Sequence, residues 1–306
     1  MILCCGEALI DMLPRELKSG GTGFAPHSGG SVFNTAIALG RLGAEVGFLS
    51  GVSTDMFGEQ LIDSLKDSNV DSSLCRRSNR PTTLAFVKLT GGEADYAFFD
   101  ENSAGRMFSE SDLPALGAAI DALHFGAISL IAEPCGSAYE ALMRRQHASR
   151  VISLDPNIRP GFITDRQAHL ARMQRMIAMS DIVKLSDADL AWFDDSRAFD
   201  DQARDWLGQG AKLIVLTRGI KGAAAMTQDT MVEAPAVPVD IVDSVGAGDT
   251  FNAGFLAALE RGGYLAKDRL GSLDAKALED ILSFAAKAAA VTVSRAGADP
   301  PWAHEL

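Results

Sequence analysis

The fold is decided by the stretch Asp243-Ser244-Val245-Gly246-Ala247-Gly248-Asp249-Thr250-Phe251. The apolar run before it, Val237 to Val242, predicts a strand, and Phe251, Phe255 and Leu259 recur after it at helical spacing. The stretch therefore predicts a strand, a glycine turn and a helix. Because the first N–H groups of a helix have no intrahelical partner, and because glycines let a large anion approach the backbone, the turn predicts a phosphate site.

Asp249 stands at the start of this predicted helix, where a carboxylate beside a phosphate is repulsive unless it has another role. It can accept a proton from a nucleophilic hydroxyl or help to hold a metal ion. The simpler alternative is that Asp249 caps the helix and the glycines only form a tight turn. Two common phosphate motifs are absent from the sequence: G-x-x-x-x-G-K-[ST] does not occur, and Phe251 replaces the third glycine of a dinucleotide fingerprint.

A second glycine pair, Gly29-Gly30, lies near the N-terminus. Apolar spacing after it predicts a helix capped by Ser31 and running through Leu42. Asn34 is unusual in a helix, and its amide can bind a polyol or cap locally. A buried strand, Ile2 to Cys5, comes earlier; Glu7 and Asp11 follow it and, taken alone, are interpreted as solvated charges.

The rest of the chain alternates short apolar strands with helical segments, which predicts a mostly parallel sheet with helices on both faces and ligands at the carboxyl ends of the strands. One hairpin, Thr82 to Leu89 and Ala94 to Phe99 around Gly91-Gly92, interrupts this pattern. The predicted strands are Val46 to Gly51, Leu123 to Leu130, Val151 to Asp155, Ile182 to Leu185 and Leu213 to Thr217, and the predicted helices are 137–148, 164–179, 199–208 and Ala275 to about Ser294.

Two regions of the chain each allow two interpretations from the sequence. Asp155-Pro156-Asn157-Ile158-Arg159 follows a strand, where the Arg can clamp a phosphate or sugar oxygen, or the segment is only a surface turn. The alanine-rich part of the last helix, around Phe284 to Ala290, permits either close packing or a flat slot for adenine.

The stretch 243–251 resembles the C-terminal signature of the ribokinase-like (pfkB) sugar kinases. Gly29-Gly30-x-x-x-Asn34-x-Ala36-x-x-Leu39-x-x-Leu42-Gly43 resembles their N-terminal signature, in the right order along the chain. The resemblance implies one kinase domain over residues 1–306, a three-layer α/β/α sandwich with a mostly parallel central sheet. It also implies a small β-sheet lid from about 8–28 and 82–100. Because such lids often pair between subunits, it implies a homodimer as well.

The resemblance further implies an ATP-dependent sugar kinase, and the Asp-Pro-Asn-x-Arg stretch is typical of fructokinase and ketodeoxygluconate kinase members. We therefore expect transfer of the ATP γ-phosphate to the 6-hydroxyl of fructose, with 2-keto-3-deoxygluconate kinase and ribokinase as alternatives and a catalytically silent sugar-binding protein as a remote one. A keto acid would need a cation for its carboxylate, and Arg106 and Arg159 are available.

The implied roles fall into four groups. The catalytic group is Asp249, Gly246, Ala247 and Gly248: Asp249 is the general base, and the Ala247, Gly248 and Asp249 amides form an anion hole. The sugar contacts are Asp11, Gly29, Gly30, Asn34, Phe98, Asn157 and Arg159, with Tyr96 a further specificity candidate. The nucleotide contacts are Ser186, Thr217, Gly219, Gly222, Gly246 and Gly248. Mg²⁺ bridges the phosphates and is linked indirectly to Asp189. This residue stands in Ser186-x-x-Asp189, where many members of the family have Asn-x-x-Glu. A monovalent cation such as K⁺ is linked to Asp243.

The amino-acid composition limits the kinds of binding partner that we expect. The 306 residues carry 28 basic and 40 acidic side chains, for a net charge of −12, and no basic block, so we expect no nucleic-acid partner. No apolar run reaches membrane-spanning length, and the N-terminus lacks the pattern of a signal peptide. The four cysteines have no metal-ligand spacing and predict reduced thiols in a cytoplasmic protein.

Overall fold

The computed structural model describes residues 1–90 and 93–306. Its strands are β1 (Ile2–Cys5), β2 (Leu9–Glu16), β3 (Thr22–Gly29), β4 (Val46–Leu49), β5 (Gly51–Ser53), β6 (Arg76–Ser78), β7 (Leu84–Thr90), β8 (Glu93–Phe99), β9 (Ala122–Gly126), β10 (Val151–Asp155), β11 (Ile182–Ser186), β12 (Leu213–Thr217), β13 (Ala223–Met226) and β14 (Met231–Ala234). Its helices are α1 (Ser31–Arg41), α2 (Met56–Asp67), α3 (Cys135–Gln146), α4 (Arg166–Ile177), α5 (Asp187–Phe193), α6 (Phe199–Gln209), α7 (Ala247–Arg261) and α8 (Ala275–Val293).

The central sheet has the strand order β14-β13-β12-β11-β10-β9-β1-β4. Its strands are parallel except at one edge, where β12, β13 and β14 pair antiparallel. Its parallel strands are apolar on both faces because helices cover both. In β1, Ile2 and Cys4 face the core under α1, α7 and α8, whereas Leu3 and Cys5 face the core under α3, α4 and α6. The predicted three-layer α/β/α sandwich is confirmed.

A second, smaller sheet has the order β3-β2-β7-β8. It is built from the two segments that the sequence assigned to a lid, and β7 and β8 form the predicted hairpin. The turn at Gly91-Gly92 and the side chain of Tyr96 lie outside the described residues. Phe24, Phe86 and Phe99 form an edge-to-face aromatic row on this sheet, with Phe24 and Phe99 exposed.

Two strand predictions need correction: one predicted strand is absent, and another is shorter than predicted. The run Val237 to Val242 forms no strand: β14 ends at Ala234 and an irregular, partly exposed segment connects it to α7. Pro235 and Pro238 lack the N–H that a strand ladder needs. The predicted strand Leu123 to Leu130 ends at Gly126, and a 3₁₀ turn follows in which Ala127 has a φ of 57°.

Several helix and strand ends also differ from the predictions. Helix α1 begins at Ser31 with Gly30 as its N-cap, so the Ser31 hydroxyl is free to bond elsewhere. The predicted strand Val46 to Gly51 is divided between β4 and β5. Among the described residues, no helix is both long enough and apolar enough to cross a bilayer.

Candidate active site

A cavity of about 950 Å³ lies at the carboxyl ends of the parallel strands. Residues from the N-terminal and the C-terminal motif line it together. Of the predicted site residues, the cavity brings together Asp11, Gly30, Asn34, Phe98, Asn157, Arg159, Ser186, Asp189, Thr217, Gly219, Gly222, Gly246, Ala247, Gly248 and Asp249. Gly29 and Asp243 do not line it; both lie behind the lining and hold neighbours in place, as described below.

Asp249 is buried in the first turn of α7, and both of its carboxylate oxygens accept hydrogen bonds from α1. The Ser31 hydroxyl donates to Oδ1 at 2.6 Å, and the Asn34 amide donates to Oδ2 at 2.9 Å. The Asn157 amide donates to the Ser31 hydroxyl at 2.7 Å. Asn34 therefore does not cap its helix locally but bonds to Asp249 of α7. Through Ser31, Asn157 and Asp249, the network joins three distant parts of the sequence.

Burial raises the pKa of Asp249 above its ordinary value. The hydrogen bonds from Ser31 and Asn34 oppose this shift because they favour the ionised carboxylate, and so do the positive charges of Lys184 and Arg159. The net result is a carboxylate that is a stronger base than an exposed Asp.

Two further carboxylates share this cavity. Burial raises the pKa of Asp11 to about 6, and the charge of Asp249 adds to the shift. Burial also raises the pKa of Glu7 to about 7, although its oxygens accept backbone hydrogen bonds from Val32 and Ser129. The interpretation of Glu7 as a solvated charge is wrong, because it is only 9% exposed and joins α1 to the turn after β9.

The glycine pair before α1 is required by its neighbours. A Cβ on Gly29 would lie 2.2 Å from Oδ2 of Asp11, so Gly29 makes room for that carboxylate. Gly30 has a φ of 108°, which other residues rarely adopt, and a Cβ there would lie 2.9 Å from the Glu7 carbonyl oxygen. The pair therefore sets the distance between Asp11 and the helix that carries Asn34.

The turn before α7 is fixed from behind by Asp243. Its carboxylate accepts hydrogen bonds from Val245 N at 3.0 Å and from Gly297 N at 2.9 Å, which tie the turn to the loop after α8. Gly246 is left-handed at φ 76°. Ala247 N donates to the Ser244 carbonyl at 3.3 Å, whereas Gly248 and Asp249 follow in the first turn, where N–H groups have no helical acceptor.

Asp155 and Lys184 form an ion pair under this turn that the sequence did not single out. Lys184 Nζ lies 2.9 Å from Asp155 Oδ2, and both side chains are almost completely buried. Asn252 also donates to Asp155 Oδ2, at 3.1 Å. A lysine within an otherwise apolar buried strand was the available signal for this pair. The Ser31 hydroxyl, in contrast, had no signal beyond its place at a helix start.

Ser186 and Asp189 form a capping box at the start of α5. Asp189 Oδ2 accepts from the Ser186 N–H and hydroxyl, and Oδ1 accepts from Ile158 N at 2.6 Å. Both oxygens are thus committed to the protein, which fits an indirect link to a metal. Among the side chains that the structure describes, those of residues 1–86 and 97–306, there is no group of three or more His, Cys, Asp or Glu placed to hold a metal ion.

The other end of the cavity is largely apolar. One face of α8 contributes Ala286, Ala289 and Ala290 to the lining, while Ala285 and Ala288 on its opposite side pack against Gly254 of α7. Close packing is therefore confirmed for one face of the alanine-rich helix, whereas the other face lines the cavity and its role as a slot for adenine stays a prediction. The irregular segment after β14 closes this end with Val237, Pro238, Val239 and Ile241.

A buried carboxylate beside a glycine turn at a helix N-terminus, between a polar and an apolar end of one cavity, is the arrangement expected of an enzyme that transfers a phosphoryl group to an alcohol. The chain belongs to the pfkB family of carbohydrate kinases, whose model matches residues 1–305. It is 58% identical to a fructokinase of Rhizobium leguminosarum bv. trifolii over 280 residues, which cover 92% of this chain and 86% of that protein.

More distant relatives agree over nearly the whole chain. Fructokinase-2 of Zea mays is 33% identical over 310 residues, which cover 98% of this chain and 90% of that protein. The crystal structure of a fructokinase with bound ATP from Xylella fastidiosa superimposes with a TM-score of 0.88 at 30% identity, covering 97% of this chain and 93% of that one. The predicted family and its fold are confirmed.

Proposed function

We propose that the chain transfers the γ-phosphoryl group of ATP to the 6-hydroxyl of D-fructose, with Asp249 as the general base. The observation that carries the proposal is the buried Asp249 carboxylate, which faces the cavity at the N-terminus of α7 and is oriented by Ser31 and Asn34. The 58% identity to a fructokinase supports fructose as the acceptor.

In this reaction the sugar occupies the polar end of the cavity, near Asp11, Asn34 and Arg159. Asp249 accepts the proton of the attacking hydroxyl as the new oxygen–phosphorus bond forms. The N–H groups of Gly248 and Asp249 and the dipole of α7 stabilise negative charge on the phosphoryl oxygens. Adenine lies against the alanine face of α8, between it and the irregular segment after β14.

Mg²⁺, when bound with the nucleotide, neutralises phosphate charge. Asp189 fits only an indirect contact, through water, because both its oxygens already accept hydrogen bonds. Asp187, exposed on the same cavity wall, is the other carboxylate near that position. A monovalent cation near Asp243 stays a prediction, which the dependence of the rate on added K⁺ tests.

The alternative substrates have less support. A keto acid needs a cation for its carboxylate, but Arg106 is already paired with Asp100 at 3.0 Å and does not line the cavity. Of the two arginines only Arg159 lines the cavity, and its guanidinium also bonds to the Ile158 carbonyl.

We also propose that the small sheet is a lid over the sugar and pairs with its copy in a homodimer. Phe98 lines the cavity and packs on Phe162 at 4.5 Å, so one edge of this sheet closes the polar end. Exposed Phe24 and Phe99 beside Phe86 form the surface for the partner lid. The four cysteines are free, which supports a reducing compartment such as the cytoplasm.

ATP consumption with Mg²⁺ tests the proposal against fructose, ribose, 2-keto-3-deoxygluconate, tagatose, glucose and fructose 6-phosphate. We expect kcat/KM for fructose to exceed every other value, and ³¹P NMR to show fructose 6-phosphate. A higher value for another sugar would replace fructose as the substrate. No turnover with any sugar, together with intact nucleotide binding, would favour the silent sugar-binding protein.

A further inference from the structure

Lys184 has no role in the reaction as proposed above, although it lies inside the site. It stands near the end of β11 and is 3% exposed; among the residues whose burial the structure describes, no other Lys or Arg is buried to this degree. It nevertheless lines the cavity, and its ammonium lies 3.5 Å from the point that a Cβ on Gly248 would occupy. A buried positive charge therefore adjoins the first turn of α7.

The protein uses only part of the hydrogen-bonding capacity of this ammonium. An ammonium has three N–H donors, and one of them bonds to Asp155 Oδ2. Among the groups that the structure describes, no second acceptor lies within hydrogen-bond distance of Lys184 Nζ. Asp155, in contrast, is fully engaged, because Asn252 shares its Oδ2 and Asn157 N donates to its Oδ1.

The ammonium also keeps its charge. Burial alone would lower the pKa of Lys184, but the carboxylates of Asp155, Asp189 and Asp249 together raise it above its ordinary value. Burying such a pair costs desolvation energy, and an apolar pair of similar volume is often at least as stable. A buried, charged and under-bonded lysine beside an anion-binding turn is thus better explained by a ligand than by stability.

We propose that Lys184 is a catalytic residue whose ammonium contacts the terminal phosphoryl group of ATP beside Gly248, and that Asp155 is its positioning residue. The inference rests on the proposed function. In the step, the sugar hydroxyl oxygen forms a bond to the γ-phosphorus while the bond from that phosphorus to the bridging oxygen breaks. The electron pair of that bond stays on the β-phosphate of ADP, the hydroxyl proton passes to Asp249, and Lys184 stays protonated throughout.

Lys184→Met tests the proposal, because it keeps the side-chain length and removes the charge. We expect kcat to fall by about 10²-fold, the size of effect typical of one lost electrostatic donor, with little change in KM for the sugar. Affinity for a non-hydrolysable ATP analogue should fall more than affinity for ADP, because only the former has a terminal phosphate at this place. Lys267→Met is the matched control: Lys267 pairs with buried Asp181 at 2.7 Å and lines a different cavity.

A kcat within threefold of wild type, or equal losses of ATP-analogue and ADP affinity, would overturn the role of Lys184. If Lys184→Met does not fold, Asp155→Asn releases the ammonium while keeping its charge. We then expect kcat to fall by about tenfold, which is less than the loss expected when the donor itself is removed. Affinity should fall for the ATP analogue and not for ADP. An unchanged kcat and unchanged ATP-analogue affinity would overturn the proposal. The two proposals fail separately: inactivity of wild type on every sugar refutes the kinase function, whereas the ATP-to-ADP comparison still tests Lys184.

Discussion

Asp249→Asn separates the chemical role of this carboxylate from its structural one. The substitution keeps the shape and one acceptor oxygen, and the rotatable Ser31 hydroxyl can accept from the new amide while Asn34 still donates to the remaining oxygen. One charge-assisted hydrogen bond is weakened, at about 1.5–3 kcal/mol, but a buried charge is removed as well. We therefore expect the free energy of unfolding to change by about 1 kcal/mol or less, because the two terms oppose each other.

Loss of general-base catalysis should lower kcat by roughly 10²–10⁴-fold, which corresponds to about 2.7–5.4 kcal/mol of transition-state stabilisation. The rate is measured by a coupled assay of ADP release at saturating ATP and fructose. A urea or thermal unfolding curve measures the stability of the same variant. Because the charge of Asp249 contributes to the raised pKa of Asp11, the pKa of Asp11 should also fall in the variant, as NMR titration would show.

Asp274→Asn serves as the control, since Asp274 is an exposed N-cap of α8 that accepts a hydrogen bond from Ala277 N and lies outside the cavity lining. We expect that variant to keep wild-type kcat. If Asp249→Asn retained kcat within tenfold of wild type, the carboxylate would not be the base and the mechanism proposed above would be wrong.

Three further predictions concern the neighbours of Asp249. Asn34→Ala should raise KM for fructose with a smaller change in kcat; an unchanged KM would remove Asn34 from the sugar site. Ser31→Ala removes a donor that favours the ionised Asp249, so its pKa should rise and the acidic limb of the kcat profile should move to higher pH, with activity lost more at pH 6 than at pH 8; an unmoved limb would contradict this. Asp11 has its pKa raised from 3.8 to about 6, so its contribution to stability is present below pH 3.8 and lost as the pH rises through 6. Asp11→Asn should therefore be more stable than wild type at pH 7, by up to about 3 kcal/mol, but not at pH 3.5. Its KM for fructose should rise. If the variant and the wild type had the same unfolding curve at both pH values, burial would not destabilise the ionised Asp11.

The central sheet could be predicted from the sequence because each parallel strand is a short run that is apolar on both faces. The bounds of β10 and β12 agree with the prediction at both ends. The same criterion failed for Val237 to Val242, an apolar run that Pro238 and Asp240 interrupt. Its apolar side chains line the cavity instead, and a hydrophobic pattern does not distinguish a cavity lining from a core.

Site residues that belong to a long motif could be predicted, whereas single side chains that contact residues far away in the sequence were missed. Asp249 and Asn34 each stand in a signature, and the structure places them 2.9 Å apart. Ser31 matched a common local pattern, the helix N-cap, so its bond to a residue near the other end of the chain was not predictable from its neighbours. Lys184 was visible as a charge in a buried strand, but its partner Asp155 lies in another strand, and only the parallel register brings them together.

The contact between α1 and α7 has a consequence for how the chain is made. The two helices pack against each other, although about 200 residues separate them in the sequence. At a synthesis rate of roughly 5–20 residues per second, the apolar face of α1 waits some 10–40 seconds before α7 leaves the ribosome. During that interval the face of α1 that packs against α7 lacks its final cover, so the nascent chain exposes apolar surface there until the last third of the sequence has been made.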